Sequence, residues 1–381
     1  MNESPQYRLL VVDDDRLNRM VMGRYLESEG HSVAYAVNGR EAIQQLQAGQ
    51  FDLVLLDIEM PEMNGYQVLE EIRQVPAWRD IPVIVTTALE ELESVVRCIE
   101  NGAEDYLTKP VNRVLLKARI DASLEKKRLR DQQTAFLHQL EQEMELARKT
   151  QLSILPEILP NPPGFEFGAL MIPARAVGGD FYEFIELGES RWGLVIGDVS
   201  DKGLPAALFM TLTYSLVRAQ AESGKSPPGV LREVNRHLLG MNALNMFVTM
   251  LYGILDCNTG VFTYARAGHL VPSIFDGHGA PVSLPINLGQ PIGLFDAFEI
   301  DTAAIQLPPN GLLVLSSDGL TEPVNLNNQQ FGEAGMQAVV QSSRQLPAQE
   351  ICQRLWQAVQ DHSGPIEQQD DFTLVVVKHT G

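Results

Sequence analysis

Acidic residues, a hydroxyl and a lysine follow short apolar runs in the N-terminal part of the chain. Asp13 and Asp14 follow RLLVV, and Asp57 follows LVLL. Thr87 is the last residue of VIVTT, and Lys109 follows DYLT. Carboxylates that share a crevice repel one another unless a cation is present, and their hard oxygen atoms suit Mg²⁺. A lysine opposite them, with a hydroxyl nearby, could also bind a phosphoryl group on one of the carboxylates. These residues therefore predict a magnesium site that holds a phosphoryl group.

A second set of acidic residues lies in glycine-bearing turns of the C-terminal part. Its members stand in AVGGDFYEF, VIGDVSDKG, VLSSDGLTEP and QQDDFTLVVV: Asp180, Asp198, Asp318, and the pair Asp370 and Asp371. The sequence shows no Ser-His-Asp set, no GxSxG, no P-loop lysine motif and no His/Cys cluster with zinc spacing. Carboxylates without imidazole select Mg²⁺ or Mn²⁺, and two such ions can activate a hydroxide and neutralise a phosphate. Any one aspartate could be a surface turn residue, but the ordered set favours a metal centre.

The elements that position the first set alternate between strand and helix. Short β-branched runs alternate with amphipathic stretches, and they predict strands at 8–12, 32–37, 52–56, 82–87 and 105–108. This alternation is typical of a doubly wound parallel sheet, which is flavodoxin-like here. Because the crevice of such a sheet lies at the carboxyl ends of its strands, the N-terminal groups are expected to converge there.

The pattern then changes to one long helix over 112–154, which contains no glycine or proline. Apolar or small residues recur three and four apart in its second half and predict a short coiled-coil seam: Leu137, Leu140, Met144, Ala147, Gln151 and Ile154. Four prolines in 155–164 end the helix. Beyond them, short strand-like runs and helical patterns near 204–220, 228–240 and 346–361 predict a mixed α/β domain with antiparallel sheet.

Composition and charge limit the classes of partner. The chain has 381 residues, is 45% apolar, and carries 29 Lys and Arg against 49 Asp and Glu, a net charge of −20. This charge repels phosphate backbones and anionic lipid, so we expect no nucleic-acid or membrane partner, and no basic helix-turn-helix segment is present. The three cysteines are far apart, no run reaches the ~18 apolar residues of a membrane span, and the first residues do not resemble a signal peptide. These features predict a cytoplasmic protein.

Over about residues 6–125 the chain closely resembles the receiver domain of two-component response regulators. The resemblance implies that Asp57 is the phosphoacceptor for a sensor histidine kinase and that Asp13 and Asp14 bind Mg²⁺ with it. In the remaining positions of the pattern, Thr87, rather than Thr86, is the switch hydroxyl and Tyr106 is the switch aromatic residue. Lys109 is the lysine of the pattern, and it precedes Pro110, a proline that is usually cis. Phosphorylation would draw the hydroxyl and the lysine inward, because it adds a charge of about −1.5 to −2.

Over about residues 165–379 the chain resembles the SpoIIE/RsbU-type serine/threonine phosphatases of the protein phosphatase 2C (PPM) superfamily, whose core is an antiparallel β-sandwich flanked by helices. The resemblance implies that the metal ligands are four carboxylates and one main-chain carbonyl: Asp180, the bridging Asp198, Val199, Asp318 and Asp370. Asp371 is ranked as a supporting residue. Two positions depart from the common motifs, namely Glu183 in place of Asp and Asp201 in place of Gly, and neither removes a ligand.

The predicted architecture is a receiver domain at 6–125, a helical linker at 126–155 that could form a coiled coil, and a phosphatase domain at 156–381. The predicted activity is that of a response regulator whose receiver binds Mg²⁺ and controls a phosphatase with two Mn²⁺ or Mg²⁺ ions. Its expected substrate is a phosphoserine or phosphothreonine protein of the anti-sigma-factor antagonist type, and the expected assembly is a homodimer.

The linker offers a route for control. We expect Asp57 phosphorylation to alter pairing of two chains and to reorder the phosphatase metal site through the long helix. The alternative for the helix is a passive stalk. The alternative for the C-terminal domain is a non-catalytic module that binds a regulator in a phosphorylation-dependent way.

Overall fold

The computed structural model describes residues 6–88, 92–242, 245–285, 287 and 289–381. The backbone packs into two compact units, Met1–Leu140 and Glu141–Gly381, each with its own sheets and apolar cores. Among the described residues, no helix combines the length and apolar character needed to cross a bilayer.

The first unit is built on a five-stranded parallel sheet. Its strands are β1 Arg8–Val12, β2 Ser32–Ala36, β3 Leu53–Asp57, β4 Val83–Thr87 and β5 Asp105–Thr108. The helices that follow them are α1 Arg16–Ser28, α2 Gly39–Ala48, α3 Gly65–Gln74, α4 Leu92–Glu100 and α5 Arg113–Leu152. The strand order β2-β1-β3-β4-β5 is that of a flavodoxin-like doubly wound sheet. The predicted N-terminal fold is confirmed, with boundaries one residue away from the predicted ones at β2, β3 and β4.

Apolar side chains cover both faces of this sheet. On β1, Leu10 and Val12 join one apolar cluster, whereas Leu9 and Val11 join another. This alternation follows from the strand geometry, because successive side chains point to opposite faces. Strands β3 and β4 are buried along their whole length. The polar residues of these two strands, Asp57, Thr86 and Thr87, lie at their carboxyl ends, and this places the candidate site at the sheet's carboxyl edge.

Among its described residues, the second unit contains two antiparallel five-stranded sheets. The first has the order β13-β10-β9-β8-β7, and its strands are β7 Phe181–Glu186, β8 Arg191–Val199, β9 Val248–Asp256, β10 Val261–Ala267 and β13 Asp301–Gln306. The second has the order β12-β11-β14-β15-β6, and its strands are β6 Phe165–Ile172, β11 Ser273–Phe275, β12 Pro281–Val282, β14 Leu312–Ser316 and β15 Phe372–His379. The predicted C-terminal antiparallel sheet is confirmed.

Helices cover the outer faces of the two sheets. Helices α6 Leu204–Glu222 and α7 Pro227–Leu239 pack on the first sheet, while α8 Gly332–Ser343 packs on α9 Ala348–Ser363, which lies on the second. On β15, Val375 and Val377 face the cluster shared with the first sheet, whereas Leu374 and Val376 face α9. The sequence analysis did not predict α8, because its two glycines and its polar end weaken the helical pattern.

Helix α5 is 40 residues long, close to the predicted 112–154. The boundary between the two units lies inside it, so the predicted linker contributes to both units. Leu137 and Leu140, in the predicted seam, are 49% and 42% exposed. Gln151, the seam position nearest the end of the helix, is instead buried within the second unit.

Candidate functional site

The predicted N-terminal residues converge at the carboxyl edge of the parallel sheet. Asp13 follows β1, Asp57 ends β3, and Lys109 follows β5. Asp13 and Asp57 are buried, Asp14 is exposed, and carboxylate oxygens of the three lie within 4.8 Å of one another. Lys109 Nζ lies 2.6 Å from Asp57 Oδ2 and 2.8 Å from Asp13 Oδ2. These carboxylates fit a divalent cation, and in its absence the ammonium group supplies the positive charge.

Burial sets the electrostatics of this edge. Burial raises the pKa of Asp57 above its usual value, and the hydrogen bond and charge of Lys109 offset only part of that effect. Burial by itself would lower the pKa of Lys109, but its hydrogen bonds to Asp13 and Asp57 raise the pKa overall. The lysine is therefore held as a cation against the predicted phosphoacceptor.

The predicted switch residues lie on the two neighbouring strands. Thr86 and Thr87 end β4 and are both buried, and Thr86 pairs with Asp57 across the sheet. The hydroxyl of Thr86 has no hydrogen-bond partner. Tyr106 is half-buried on β5, and the Lys109–Pro110 peptide bond is cis. The roles of Thr87 and Tyr106 remain predictions.

Asp15, the third aspartate of the DDD run, has a structural role at the start of α1. The Asp15 side chain accepts hydrogen bonds from the backbone N–H groups of Leu17 at 2.7 Å and Asn18 at 2.9 Å. These two hydrogen bonds lower the pKa of Asp15. Asp15 thus caps the N-terminus of α1 and fixes the loop that carries Asp13 and Asp14.

The predicted aspartates of the second unit come from the ends of strands in both sheets. Asp180 precedes β7 and Asp198 lies near the end of β8, and the antiparallel register of Phe181 with Gly197 makes them neighbours. The same logic applies in the other sheet, where β14 leads to Asp318 and β15 begins just after Asp370 and Asp371. The two pairs also meet, because the charges of Asp318 and Asp370 act on Asp198. The structure therefore brings the predicted carboxylates together at one edge of the two sheets.

This cluster concentrates negative charge in a poorly solvated space. Burial, followed by repulsion from Asp318, raises the pKa of Asp198 to about 7. Burial and the charge of Asp370 raise the pKa of Asp318 to about 6. Burial and the charge of Asp198 raise the pKa of Asp180 well above its usual value. A bound divalent cation would remove this mutual repulsion.

One buried oxygen shows that the cluster fits a metal ion. Asp180 is 1% exposed, and its Oδ2 has no hydrogen-bond partner. A buried carboxylate oxygen without a partner is costly unless a cation or water satisfies it. Within the described residues, no three acidic side chains of the second unit approach one another as closely as the three of the first.

The double glycine before Asp180 allows backbone and carboxylate to approach closely. A Cβ at Gly178 would lie 2.3 Å from Asp371 Oδ2, and one at Gly179 would lie 2.8 Å from the carbonyl oxygen of Val199. Only glycine leaves this space free. The Val199 carbonyl, predicted as a metal ligand, therefore lies against the loop that carries Asp180.

Asp371 organises that loop. Its carboxylate accepts hydrogen bonds from the backbone N–H groups of Ala174 at 2.8 Å, Gly179 at 2.7 Å and Asp180 at 3.4 Å. Asp371 is buried, whereas its neighbour Asp370 is half-exposed. These contacts support the prediction of a supporting role for Asp371.

Two residues near the cluster carry contacts that the sequence analysis did not predict. Lys202 Nζ lies 2.9 Å from Asp370 Oδ2 and donates to the Gln369 carbonyl at 2.6 Å. Gln151 donates to the Gly178 carbonyl at 2.6 Å and accepts from the Gly178 N–H at 3.0 Å. The signal for Lys202 was its place in the DVSDKG turn. The heptad spacing placed Gln151 in the coiled-coil seam, but its side chain contacts the glycine loop instead.

The two departures from the common motifs have separate explanations. Glu183 is buried on β7 and pairs with Arg218 of α6 at 3.0 Å, and burial raises its pKa. Asp201 adopts φ of 68°, the left-handed conformation in which Gly is the usual residue. Neither change removes a carboxylate from the cluster.

The buried histidine of the unit is neutral. His269 is 4% exposed, and burial lowers its pKa to about 4. Its Nδ1 lies 2.9 Å from Thr249 Oγ1, and Thr249 pairs with Asp198 in the sheet register. His269 therefore packs behind the cluster and adds no charge to it.

Comparisons with known proteins match both units. A family model for the response regulator receiver domain matches residues 9–121, and a model for stage II sporulation protein E (SpoIIE) matches residues 188–380, just over half of the chain. Phosphoserine phosphatase RsbU of Bacillus subtilis (strain 168) is 28% identical over 244 residues, which are 63% of this chain and 71% of RsbU. Protein IcfG of Synechocystis sp. is 28% identical over 264 residues, which are 62% of this chain.

Structural similarity supports the same fold for the second unit. The SiaA-PP2C domain of Pseudomonas aeruginosa superimposes with a TM-score of 0.57 at 21% identity, over 64% of this chain and 98% of that domain. At this identity the match shows the fold alone. The chain spans only 41% of the length of IcfG. It belongs to the SpoIIE family and carries a response regulator receiver domain ahead of its SpoIIE domain.

Proposed function

We propose that this chain is a response regulator whose receiver, phosphorylated on Asp57 by a sensor histidine kinase, controls a divalent-metal-dependent protein serine/threonine phosphatase. The observation that carries the catalytic part is the buried, unpartnered oxygen of Asp180 within a cluster of aspartates whose pKa values are raised. Such a cluster is suited to binding cations, because the ion pair of Lys202 with Asp370 offsets only part of its negative charge.

The residues proposed to hold two Mn²⁺ or Mg²⁺ ions are four carboxylates and the carbonyl of Val199: Asp180, Asp198, Asp318 and Asp370. Divalent cations bound there would lower the pKa of a water nucleophile and neutralise charge on the substrate phosphate. Asp371 keeps the Asp180 loop in place through its backbone hydrogen bonds. Lys202, paired with Asp370, competes with a cation for that carboxylate.

In the receiver, Asp13 and Asp14 are proposed to hold Mg²⁺ beside Asp57. The Asp57 carboxylate accepts the phosphoryl group, and Lys109, already 2.6 Å away, is positioned to pair with its new oxygens. The hydroxyl of Thr87 is the second proposed partner, and Tyr106 the side chain that moves with it. The surface near β4, β5 and α5 is the proposed output surface.

Helix α5 is the proposed connection between the two activities. Its residue Gln151 holds both backbone groups of Gly178, two positions before Asp180. We infer that phosphorylation alters pairing of two chains and that a change in α5 reaches the metal site through this contact. A homodimer is part of the proposal, as is a cytoplasmic location, which agrees with three cysteines that form no disulfide.

The proposed substrate is a phosphoserine or phosphothreonine protein. The printed name of the relative RsbU, a phosphoserine phosphatase, supports this class. The finer expectation, a protein of the anti-sigma-factor antagonist type, follows from the family resemblance alone. The acidic chain makes nucleic acid and anionic membranes unsuitable as partners.

The test is phosphate release from a phosphoserine protein with Mn²⁺ or with EDTA. We expect turnover by the wild-type chain that requires metal and is lost in Asp198→Asn. Asp296→Asn, a change at an exposed aspartate outside the cluster, should keep full turnover. No release with any metal, from a folded chain phosphorylated on Asp57, would instead favour the non-catalytic binding module.

A further inference from the structure

A groove of about 310 Å³ opens beside the candidate metal cluster. At one end it is lined by Asp370, a proposed metal ligand, and by Gly319, the neighbour of Asp318. From there it runs over the C-terminal half of α9, where Trp356 and Val359 line it. The groove is therefore continuous with the candidate catalytic site.

The floor of the groove is apolar and supported by the core. Val359 is buried, and the ring of Trp356 packs on Phe372 with centroids 4.8 Å apart. Both side chains belong to or pack against the apolar cluster under the second sheet. A floor held in this way is formed before any ligand arrives, as in most binding clefts.

The rim of the groove is acidic. Glu322 and Glu367 line it, together with Asp370, whose carboxylate is paired with Lys202. No Lys, Arg or His is among the described residues that line the groove. Glu322 and Glu367 are exposed. An occupant that matches both floor and rim carries an apolar side chain next to a positive charge.

We propose that this groove binds the residues that flank the phosphoserine in the protein substrate. One apolar side chain of the substrate packs on Trp356, and a neighbouring Lys or Arg pairs with Glu367 and Glu322. The proposal rests on the proposed phosphatase function and adds the sequence class that the same site prefers. A substrate whose phosphate reaches the aspartates has its flanking residues beside the groove, because Asp370 and Gly319, the neighbour of Asp318, line it.

The test compares matched phosphoserine peptides on the full chain with Mn²⁺. One peptide carries Leu and Lys beside the phosphoserine, a second has Ala for Leu, and a third has Glu for Lys. The fourth substrate is p-nitrophenyl phosphate, which has no flanking residues. The variants are Glu367→Lys and, as a control with the same charge change, Glu157→Lys, an exposed residue that does not line the groove.

We expect the wild-type chain to prefer the first peptide at least tenfold in kcat/KM over the second and third, mainly through KM. Glu367→Lys should lower kcat/KM for the first peptide about tenfold and raise it for the third. Turnover of p-nitrophenyl phosphate should be unchanged, and Glu157→Lys should behave like the wild type. The reversal of preference is a readout that damage to the fold would not produce.

Equal turnover of the three peptides by the wild-type chain would overturn the groove proposal and leave the phosphatase proposal standing. A Glu367→Lys variant that changes oligomeric state without changing peptide preference would assign the groove to a second copy of the chain and also overturn it. No metal-dependent turnover of any substrate, including p-nitrophenyl phosphate, would overturn the phosphatase function and the groove's role with it.

Discussion

At the scale of single residues, the raised pKa values of the aspartate cluster predict that metal binding releases protons. The pKa of Asp198 is about 7 and that of Asp318 about 6, so both carboxyl groups carry protons over part of the range below neutral pH. A cation has to displace those protons before it binds. The apparent affinity for metal should therefore increase as pH rises to about 7 and change little above it.

The measurement is calorimetry of Mg²⁺ binding in buffers of different ionisation enthalpy. We expect proton release at pH 6 and almost none at pH 8.5, with less release at pH 6 in Asp198→Asn. Equal proton release at both pH values would contradict the raised pKa values.

The same carboxyl groups should make the metal-free fold less stable at higher pH. Their folded-state pKa values lie above the usual value of 3.8, so the folded chain binds more protons than the unfolded chain between about pH 4 and 7. The free energy of unfolding contributed by these groups therefore decreases as pH rises over that range. Thermal unfolding with EDTA should show this decrease, and saturating Mg²⁺ should reduce it. A decrease that is equally steep with and without Mg²⁺ would assign it to other groups.

Lys202 should compete with metal for Asp370. Both side chains are more than one-third exposed, so their ion pair is worth at most about 1 kcal/mol. Lys202→Met removes the competing cation, and we expect metal to bind about two- to fivefold more tightly. Lys225→Met is the control, since that lysine bonds Gln220 instead. Weaker metal binding in Lys202→Met alone would show that the lysine supports the site.

Asp201 should be a strained residue in the turn after β8. Its φ of 68° favours glycine, so Asp201→Gly should raise the free energy of unfolding by about 0.5–1 kcal/mol. Asp201→Ala, which also removes the carboxylate but keeps Cβ, should lower it. Denaturant unfolding of the three proteins distinguishes strain from charge, and a gain in both variants would identify the charge as the cause.

At the scale of elements, the contact between α5 and the glycine loop should matter for catalysis. Gln151→Ala would leave the N–H and C=O of Gly178 buried without partners, at a cost of about 1–3 kcal/mol for each group. We expect weaker metal binding and at least tenfold lower turnover of p-nitrophenyl phosphate. Gln142→Ala, at an exposed position of the same helix, is the matched control. Unchanged metal affinity in Gln151→Ala would show that the contact between α5 and the glycine loop does not support the metal site.

Sequence patterns predicted the elements where local and tertiary preferences agree. The strands of the receiver are β-branched and buried, and the long helix has neither glycine nor proline, so the predicted boundaries differ from the observed ones by only one or two residues. Helix α8 was missed because packing on α9 stabilises a sequence of weak helical pattern. The position of Gln151 could not be predicted from spacing, because it depends on where the glycine loop folds back.

At the scale of the whole molecule, the chain contains two groups of carboxylates, and the repulsion between the carboxylates is offset differently in each group. The receiver group has Lys109 between two buried carboxylates, whereas the second-unit cluster keeps an unpartnered oxygen on Asp180. The sequence identified the aspartates of both groups because each ends or begins a strand. Only the family resemblance distinguished Asp370 from Asp371, and the fold adds the physical difference that one is half-exposed and the other bonds the Asp180 loop.

The central claim is that phosphorylation of Asp57 controls a metal-dependent phosphatase in the same chain. The most direct measurement is the rate of dephosphorylation of a phosphoserine protein by the full chain and by Asp57→Asn, each with and without acetyl phosphate. We predict a rate that requires Mn²⁺ or Mg²⁺ in both proteins and that acetyl phosphate changes only in the wild type. A rate that acetyl phosphate leaves unchanged in the wild type, or changes equally in both proteins, would contradict the account.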